Sequence, residues 1–273
     1  MKNKAAFTLN RRQWLTAAAL APAFAGSAAW QITAAEPPQG GPQYLAIAYR
    51  CAAQDRPGFR AYWQGEAAER FQGLLKKGVL KSWQILFNPI VDTETWDALV
   101  ILGFTSFEAT RAWYEIERTA PGGLTPAGLK LARPIYTISA DLQWSAGPEK
   151  ARTDAESIYY VIPYEYNAAD QYRKYVDAYV IPQVSGWMKE GVLKGYQMFM
   201  NRYPVGRTWD SLFVYQYSTL ETFGRRDETV AKVRKTLVDD PVWKNFHEIK
   251  KTIREESENT IAEMLRADFS TAK

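Results

Sequence analysis

Apolar residues recur along this chain at two spacings, one typical of strands and one typical of helices. From Phe59 to Leu75, apolar residues recur at helical spacing, and Lys76-Lys77-Gly78 follows with the cations and glycine that are typical of a helix C-terminus. A second helix is predicted from residue 105 to about 118. Runs rich in aromatic and branched residues predict strands at 44–49, 80–87, 96–104 and 134–144. The first half of the chain therefore predicts the order strand, helix, strand, strand, helix, strand.

The same order recurs in the second half of the chain. Residues 76–108 align without a gap with residues 189–221, and both segments contain the dipeptide Trp-Asp, at 96–97 and 209–210. Similarity at one fixed offset is the signature of a duplicated unit. Strands of the second copy are predicted at 158–166, 193–201, 209–217 and 259–265. The last of these segments equally fits the end of a helix.

Signals for helix ends recur at equivalent positions in the two copies. The segments 105–108 and 218–221, TSFE and STLE, both match the capping box that opens a helix. The first helix of the second copy contains Pro182, which is expected to kink the helix or to start a new turn. A longer helical pattern then runs from 220 to about 256, with a break near Pro241.

Each copy has the β-α-β-β-α-β order of the ferredoxin-like plan. The strands of the second copy carry large apolar residues on both faces, as in YYVIPYEY (159–166) and SLFVYQY (211–217), so both faces must be covered. The economical arrangement packs the two sheets face to face with the helices outside. We therefore predict an α+β fold of two tandem ferredoxin-like repeats that form a pseudo-symmetric α/β barrel.

In this strand pattern the chain resembles the dimeric α+β barrel superfamily, in the tandem form in which one chain supplies both halves. That superfamily includes antibiotic-biosynthesis monooxygenases, EthD-like and NIPSNAP-like proteins, stress-responsive barrel proteins, and the haem-binding chlorite dismutase and dye-decolourising peroxidase branches. The resemblance covers the mature chain at the level of topology. No residue signature in the sequence assigns the chain to one branch.

The amino terminus has the composition of an export signal. Residues 1–35 combine a basic start, an Ala-rich apolar run and no acidic residue. Within them the segment NRRQWLT (10–16) resembles the twin-arginine signal, which predicts a periplasmic or secreted protein. The predicted boundaries are an export signal (1–35), a linker (36–43), the first repeat (44–145), a second linker (146–155) and the second repeat (156–269).

Charge and apolar content exclude two kinds of partner. The chain has a formal net charge of +4, and residues 1–35 contribute four positive charges and no negative one. The mature chain is therefore close to neutral and lacks the basic surface that nucleic acid binding requires. No run after the export signal reaches the ~20 apolar residues of a membrane helix, so no membrane span is predicted. Aromatic surface left uncovered would allow a homo-oligomer.

The residue inventory predicts no metal site and no cofactor. A chain with one His and one Cys cannot form a Cys/His zinc cluster or a site of two His and one carboxylate. No glycine-rich nucleotide motif follows a predicted strand. The haem-binding branches use a proximal His from their C-terminal half, so the resemblance implies His247 as an alternative axial haem ligand. The charged residues around His247 favour a His on a helix surface.

Amide side chains recur at equivalent strand positions. Gln84 and Gln197 point to the same face of their strands as Asn88 and Asn201, four residues later. A buried amide needs hydrogen-bond partners, so a polar cluster inside the barrel is one interpretation. For the two Asn residues, a side-chain turn at the strand end is favoured. For the two Gln residues, a structural role and a binding role remain open.

The repeated Trp-Asp dipeptide is more typical of a folding device than of a catalytic site, because both copies keep it. Asp97 and Asp210 are expected to accept hydrogen bonds from backbone amides at a turn. Trp96 and Trp209 are expected to cover one end of the barrel.

Tyrosines are concentrated on the strands of the second copy, where an apolar ring with a hydroxyl suits a pocket for an aromatic ligand. The sequence therefore predicts an exported small-molecule-binding barrel, and a cofactor-independent enzyme acting on an aromatic or polyketide-like compound is one form of this prediction. The alternatives are a non-enzymatic NIPSNAP-like binding or structural module and a haem-binding barrel. The candidate contacts to a small hydrophobic or aromatic molecule are Gln197, Tyr164, Tyr215, Arg50 and Gln84.

Overall fold

The computed structural model describes residues 43–147 and 156–269, so the predicted export signal and most of both predicted linkers lie outside the described residues. The strands of this part are β1 (Gln43–Cys51), β2 (Ser82–Phe87), β3 (Ala98–Phe104), β4 (Ala132–Ala146), β5 (Ile158–Tyr166), β6 (Leu193–Asn201), β7 (Ser211–Tyr217), β8 (Arg254–Glu256) and β9 (Thr260–Phe269). The helices are α1 (Arg56–Tyr62), α2 (Ala68–Lys76), α3 (Arg111–Thr119), α4 (Pro126–Leu131), α5 (Ala169–Tyr175), α6 (Ile181–Lys189), α7 (Leu220–Gly224), α8 (Arg226–Leu237) and α9 (Pro241–Ile253).

The strands close into an antiparallel barrel. The order round the barrel is β4-β1-β3-β2-β9-β5-β7-β6, and β6 pairs again with β4. Each repeat keeps its four strands together, and the two seams between repeats are β2 with β9 and β6 with β4. The short β8 lies end to end with β9 along the same edge of β5. The predicted fold of two tandem ferredoxin-like repeats in a pseudo-symmetric barrel is confirmed.

The strand order fixes the position of the pseudo-twofold axis. Equivalent strands of the two repeats lie four places apart in a ring of eight, and neighbouring strands are antiparallel, so equivalent strands point the same way. The axis therefore runs along the barrel, and equivalent residues lie at the same end. We call the end where β1 and β2 begin, which contains Gln84 and Gln197, the amide end. The opposite end, which contains Trp96 and Trp209, is the tryptophan end.

Apolar residues form one cluster inside the barrel and one between each sheet and its helices. The interior cluster draws on both repeats and includes Trp96 and Trp209, so the expectation that these rings cover one barrel end is confirmed. Small residues of β1, Ala46 and Ala48, also face this interior. The helix-side clusters of the first and second repeat contain the larger share of the aromatic rings.

The first helical region of each repeat contains a wide turn. A π-helical turn joins α1 to α2 at Trp63–Ala67, and another joins α5 to α6 at Val176–Val180. The two turns lie 113 residues apart, the same offset as that between segments 76–108 and 189–221. Pro182 lies in the first turn of α6, directly after the wide turn. The expectation that Pro182 starts a new turn is therefore confirmed.

Two sequence predictions at element ends need correction. The predicted capping boxes are displaced by one residue: Thr219 caps α7 together with Thr222, and the equivalent Ser106 Oγ accepts a hydrogen bond from the Ala109 amide. The capping side chain therefore belongs to the second residue of each motif, and Glu108 and Glu221 take no part. The last strand is also longer than predicted, because β9 pairs with both β2 and β5 and closes the barrel.

Side chains shared by both repeats organise the turns at the tryptophan end. Asn88 Oδ1 accepts from the Ile90 amide at 2.9 Å, and Asn201 Oδ1 accepts from the Tyr203 amide at 2.9 Å. These bonds confirm the predicted side-chain turn at the end of each second strand.

The aspartates of the two Trp-Asp dipeptides act in the same way in both repeats. Asp97 Oδ2 accepts from the Cys51 amide at 2.8 Å, and Asp210 Oδ2 accepts from the Tyr166 amide at 3.0 Å. The predicted role of these carboxylates as acceptors for backbone amides is confirmed.

Candidate functional site

The pair of glutamines lies at the centre of the amide end. Gln84 Nε2 donates a hydrogen bond to Gln197 Oε1 at 2.7 Å, so the equivalent side chains of the two repeats meet across the pseudo-twofold axis. The structure shows one bond between the two amides, in which the Gln84 amino group donates and the Gln197 carbonyl oxygen accepts. Gln84 Oε1 and the Gln197 amino group therefore remain for other partners.

A cavity of about 610 Å³ opens beside this pair. Ligand pockets in proteins commonly measure roughly 300–1,000 Å³, so a small organic molecule fits this volume. The exposed Lys81, Ser145 and Gly147 lie at its rim, and the buried Gln84 and Ile101 lie deeper. The lining comes from Tyr44, Lys81, Ser82, Trp83, Gln84, Ile101, Leu142, Ser145, Ala146, Gly147, Tyr196, Gln197 and Phe269.

The cavity is not symmetric, because the two repeats differ at one strand position. In β3 a Cβ on Gly103 would lie 2.2 Å from Ser82 Oγ and 3.0 Å from the Tyr44 ring, two side chains that line the cavity. The equivalent position of β7 holds Gln216, which is buried and donates to Ser157 Oγ at 3.1 Å. Glycine in the first repeat therefore leaves room for cavity-lining side chains, whereas glutamine fills the matching place in the second.

The polar groups of the cavity are mainly hydrogen-bond donors. Burial raises the pKa of Tyr44, so this phenol stays protonated at neutral pH. Among its described lining residues the cavity contains no carboxylate, imidazole or thiol. The Gln197 amino group, the Tyr44 hydroxyl and the Lys81 ammonium together suit a ligand oxygen that carries partial or full negative charge.

Tyr164 and Tyr215, two other candidate contacts, lie on the opposite face of the second sheet. Both belong to the cluster between the sheet and its helices, and burial raises the pKa of each well above its usual value. The Arg254 guanidinium lies 4.7 Å from the centre of the Tyr164 ring, and Trp187 packs edge-on against Tyr215. The structure therefore does not bring these tyrosines to the glutamine pair.

Arg50 lies at the tryptophan end, also away from the glutamine pair. Its Nη2 donates to the Thr95 carbonyl, and its side chain borders an open hollow of about 380 Å³. Of the five candidate contacts, the structure thus brings together only Gln84 and Gln197.

His247 lies on the outer helix α9, where its ring is already engaged. The His247 Nδ1 is 2.9 Å from the Tyr179 hydroxyl and 3.3 Å from Lys250 Nζ. An ammonium can only donate, so Nδ1 is the acceptor and the proton resides on Nε2. Partial burial and the charges of Lys250 and Arg234 lower the pKa of His247, which favours the neutral ring.

This environment does not fit a haem ligand. Ligation through Nε2 would move its proton to Nδ1 and break the contacts to Tyr179 and Lys250. Trp243 stacks on the imidazole with ring centres 5.1 Å apart, and Tyr175, Tyr179 and Phe246 fill the adjoining space between α9 and the sheet. Neither of the two cavities described above is lined by His247.

Sequence reasoning missed Tyr44, Ser82 and Gly103 as parts of the site. The alignment of the two copies contains one usable signal, because it places Gly103 opposite Gln216 in the middle of a strand. Glycine in a strand interior often marks a close approach or open space. For Tyr44, the signal is its position on the same strand face as the small residues Ala46 and Ala48.

The described residues contain neither a metal-binding cluster nor a membrane-spanning helix. Residues 43–147 and 156–269 contain no group of three or more His, Cys, Asp or Glu that could hold a metal ion. Within the same ranges, no helix is both long enough and apolar enough to cross a membrane.

Among known proteins, the chain is similar in fold to several solved structures. No protein-family model and no curated protein sequence matches it. An anthrone oxidase-like protein aligns with a TM-score of 0.56 at 9% identity, over 86% of this chain and 96% of that one. A proposed monooxygenase from Lactobacillus acidophilus NCFM aligns with a TM-score of 0.52 at 13% identity, over 84% and 96% of the two chains. A proposed monooxygenase from Fusobacterium nucleatum aligns with a TM-score of 0.53 at 8% identity, over 84% and 95%. The chain shares the α+β barrel fold of these proteins.

Proposed function

We propose that the mature protein binds a small aromatic or polyketide-like compound in the amide-end cavity and acts on it without a cofactor. The observation that carries this proposal is the cavity of about 610 Å³ beside the Gln84–Gln197 pair. The similarity in fold to an anthrone oxidase-like protein and to proposed monooxygenases supports the choice of compound class.

The donors around the cavity define what the site would do chemically. A phenol or a 1,3-diketone becomes acidic when its conjugate oxygen anion is stabilised by hydrogen bonds and by a nearby cation. The Gln197 amino group and the Tyr44 hydroxyl would donate to that oxygen, and Lys81 would supply the positive charge. Gln84 Oε1 would accept from a second hydroxyl and so fix the orientation of the ring.

The two alternatives receive less support from the same geometry. A NIPSNAP-like structural module needs only a filled interior, whereas the amide end leaves room for a ligand. A haem-binding barrel needs an open space and a free imidazole nitrogen, whereas the surroundings of His247 are filled by aromatic rings.

The first prediction concerns binding in the cavity. We expect 1-naphthol and 1,8-dihydroxyanthrone to bind the mature protein with one site per chain, as measured by isothermal titration calorimetry. Replacing Gln197 by Leu should raise the dissociation constant about tenfold, the equivalent of one lost hydrogen bond to a partly charged group. Tyr215→Phe is the matched control, because Tyr215 lies on the helix side of the sheet, and it should bind like the wild type.

Two outcomes of this experiment, and one outcome of a separate haem titration, would contradict the proposal. Absence of binding by the wild type would favour the structural module. Equal loss of affinity in both variants would place the ligand elsewhere. A strong Soret band after haem addition that disappears in His247→Ala would favour the haem-binding alternative.

We also propose that the protein is exported through the twin-arginine route. The support is the basic, Ala-rich start and the segment NRRQWLT. We expect replacement of both Arg11 and Arg12 by Lys to retain the precursor in the cytoplasm, whereas wild-type protein recovered outside the cytoplasm should begin at Glu36. Cell fractionation followed by N-terminal sequencing measures both results, and unprocessed wild-type protein in the cytoplasm would contradict the proposal.

A further inference from the structure

Like charges face each other across strands at the tryptophan end. Arg50 of β1 lies directly opposite Arg133 of β4, and Glu165 of β5 lies directly opposite Glu255 of β8. Like charges at directly opposed positions destabilise a strand pair unless another group compensates them. Arg50 and Glu165 are equivalent residues, since each follows the tyrosine, Tyr49 or Tyr164, whose carbonyl accepts from the aspartate amide of its repeat. The duplicated barrel thus carries a basic pair and an acidic pair at matching places.

Arg50 is partly compensated, because it donates to the Thr95 carbonyl and its charge acts on Asp92 of the same loop. Arg133, Glu165 and Glu255 are exposed, and none of them forms an ion pair with a described residue. The exposed Lys130 adds a third cation beside the basic pair, in a hollow whose one acid is Asp55. Because β1 and β5 lie four places apart in the barrel, the basic and acidic pairs lie on opposite sides of the same barrel end.

The two hairpin loops at the tryptophan end also carry charged residues, and the two loops differ in the sign of their charge. The β2–β3 loop contains Asp92 and Glu94, and it lies between the two pairs, since Arg50 contacts its Thr95 carbonyl on one side and β2 adjoins β9 on the other. The β6–β7 loop contains the exposed Arg207, and it lies on the side of the basic pair because β6 adjoins β4. With the two pairs on opposite sides, one half of the tryptophan end is basic, and the other half is acidic.

Apolar side chains project from the same two loops. Ile90 and Val91 in the first loop are each 61% exposed, and Tyr203 and Val205 in the second are 56% and 90% exposed. Large apolar side chains grouped at one end of a molecule are typical of an interaction surface. The described chain breaks off at Gln43, Gly147, Glu156 and Phe269, all at the amide end, so no break in the described chain adjoins this surface.

We propose that the tryptophan end binds a second copy of this chain, end to end. A twofold axis perpendicular to the barrel turns the partner over and places its acidic half against the basic half of the first copy, and its basic half against the acidic half. Such a contact is self-complementary, as a twofold interface requires. The exposed apolar side chains of the two loops add apolar area to the charged contacts. The amide-end cavities then open at the two outer poles of the dimer, so dimerisation and ligand binding are independent.

The test measures the oligomeric state of the mature chain by analytical ultracentrifugation. We expect a dimer at about 0.1 M salt, and we expect its dissociation constant to rise about tenfold or more at about 1 M salt, where screening shortens the Debye length from ~10 Å to ~3 Å. An acidic variant combines Lys130→Glu with Arg133→Glu, and a basic variant combines Glu165→Lys with Glu255→Lys. Each variant alone should be monomeric, and an equimolar mixture should form a 1:1 dimer.

A control variant carries the same change of charge on the outer helices, Lys235→Glu with Lys244→Glu, and it should dimerise like the wild type. The circular dichroism spectrum of each variant should match that of the wild type, because all substituted residues are exposed. A wild-type chain that stays monomeric at low salt would overturn the proposal. A mixture of the acidic and basic variants that stays monomeric would overturn it as well, as would a dimer that persists in either variant alone.

Discussion

Replacing Asp97 by Ala is expected to lower the free energy of unfolding by about 3–5 kcal/mol, the usual result of removing one partner of a buried ion pair. Asp97 Oδ1 accepts from Arg56, and the side chains of the two residues are 6% and 9% exposed. The Arg56 guanidinium also donates to the Asn88 carbonyl and lies 5.1 Å from the centre of the Phe87 ring. The substitution would leave this cation buried without a counter-ion.

The duplication supplies a matched control for this prediction. Asp210 makes the equivalent bond to a backbone amide, that of Tyr166, but no arginine contacts it among the described residues. Asp210→Ala should therefore lower the free energy of unfolding by only about 1–2 kcal/mol, the penalty for one unsatisfied backbone amide. Urea unfolding followed by circular dichroism measures both values. An equal loss in the two variants would show that the Arg56 contact contributes nothing.

The second large effect is expected for Trp209→Ala, with a loss of about 3–5 kcal/mol in the free energy of unfolding. Trp209 is 1% exposed and belongs to the barrel interior, where residues of both repeats surround it. Removal of the indole leaves a cavity inside the barrel. The strands cannot move inward to fill this cavity, because each of them is hydrogen-bonded to a neighbour on both sides. The same urea unfolding experiment measures the effect.

Trp144 provides the comparison for Trp209. It is a half-buried tryptophan of β4 that packs on the helix side, and its indole Nε1 donates to Asp177 at 2.7 Å. Trp144→Ala removes the same side chain from a site that water can reach, so its cost should be about 1–2 kcal/mol. A loss in Trp209→Ala as small as that in Trp144→Ala would show that the barrel interior repacks around the missing ring.

The sequence predicted the fold because several local patterns agreed with one another. Strand and helix signals recur at a fixed offset, which predicted the duplicated β-α-β-β-α-β order. Apolar residues lie on both faces of the strands, which predicted that both faces of each sheet are buried. The Asn and Asp side chains at the tryptophan end were predicted correctly because their bonds are local or join neighbouring strands. The capping motifs were displaced by one residue because serine and threonine stand side by side in both, and either can cap.

The candidate site was harder to predict because its residues meet only after the barrel closes. Gln84 and Gln197 stand at equivalent strand positions, yet the contact between them depends on where the pseudo-twofold axis passes. The tyrosines of the second copy could not be assigned to a face, since both faces of each strand are apolar. Strand pairing placed Tyr164 and Tyr215 on the helix side and Tyr159 inside the barrel.

The wide turns at Trp63–Ala67 and Val176–Val180 indicate whether a one-residue insertion came before or after the duplication of the chain. A π-helical turn holds one residue more than an α turn, and each helical residue corresponds to a rotation of about 100°. Deleting that residue would rotate the following helix and turn the buried Phe71, or its counterpart Val184, away from the sheet. The same additional residue in both copies is more simply inherited once than acquired twice. The simplest history therefore places the insertion before the duplication, in a unit that corresponds to one repeat.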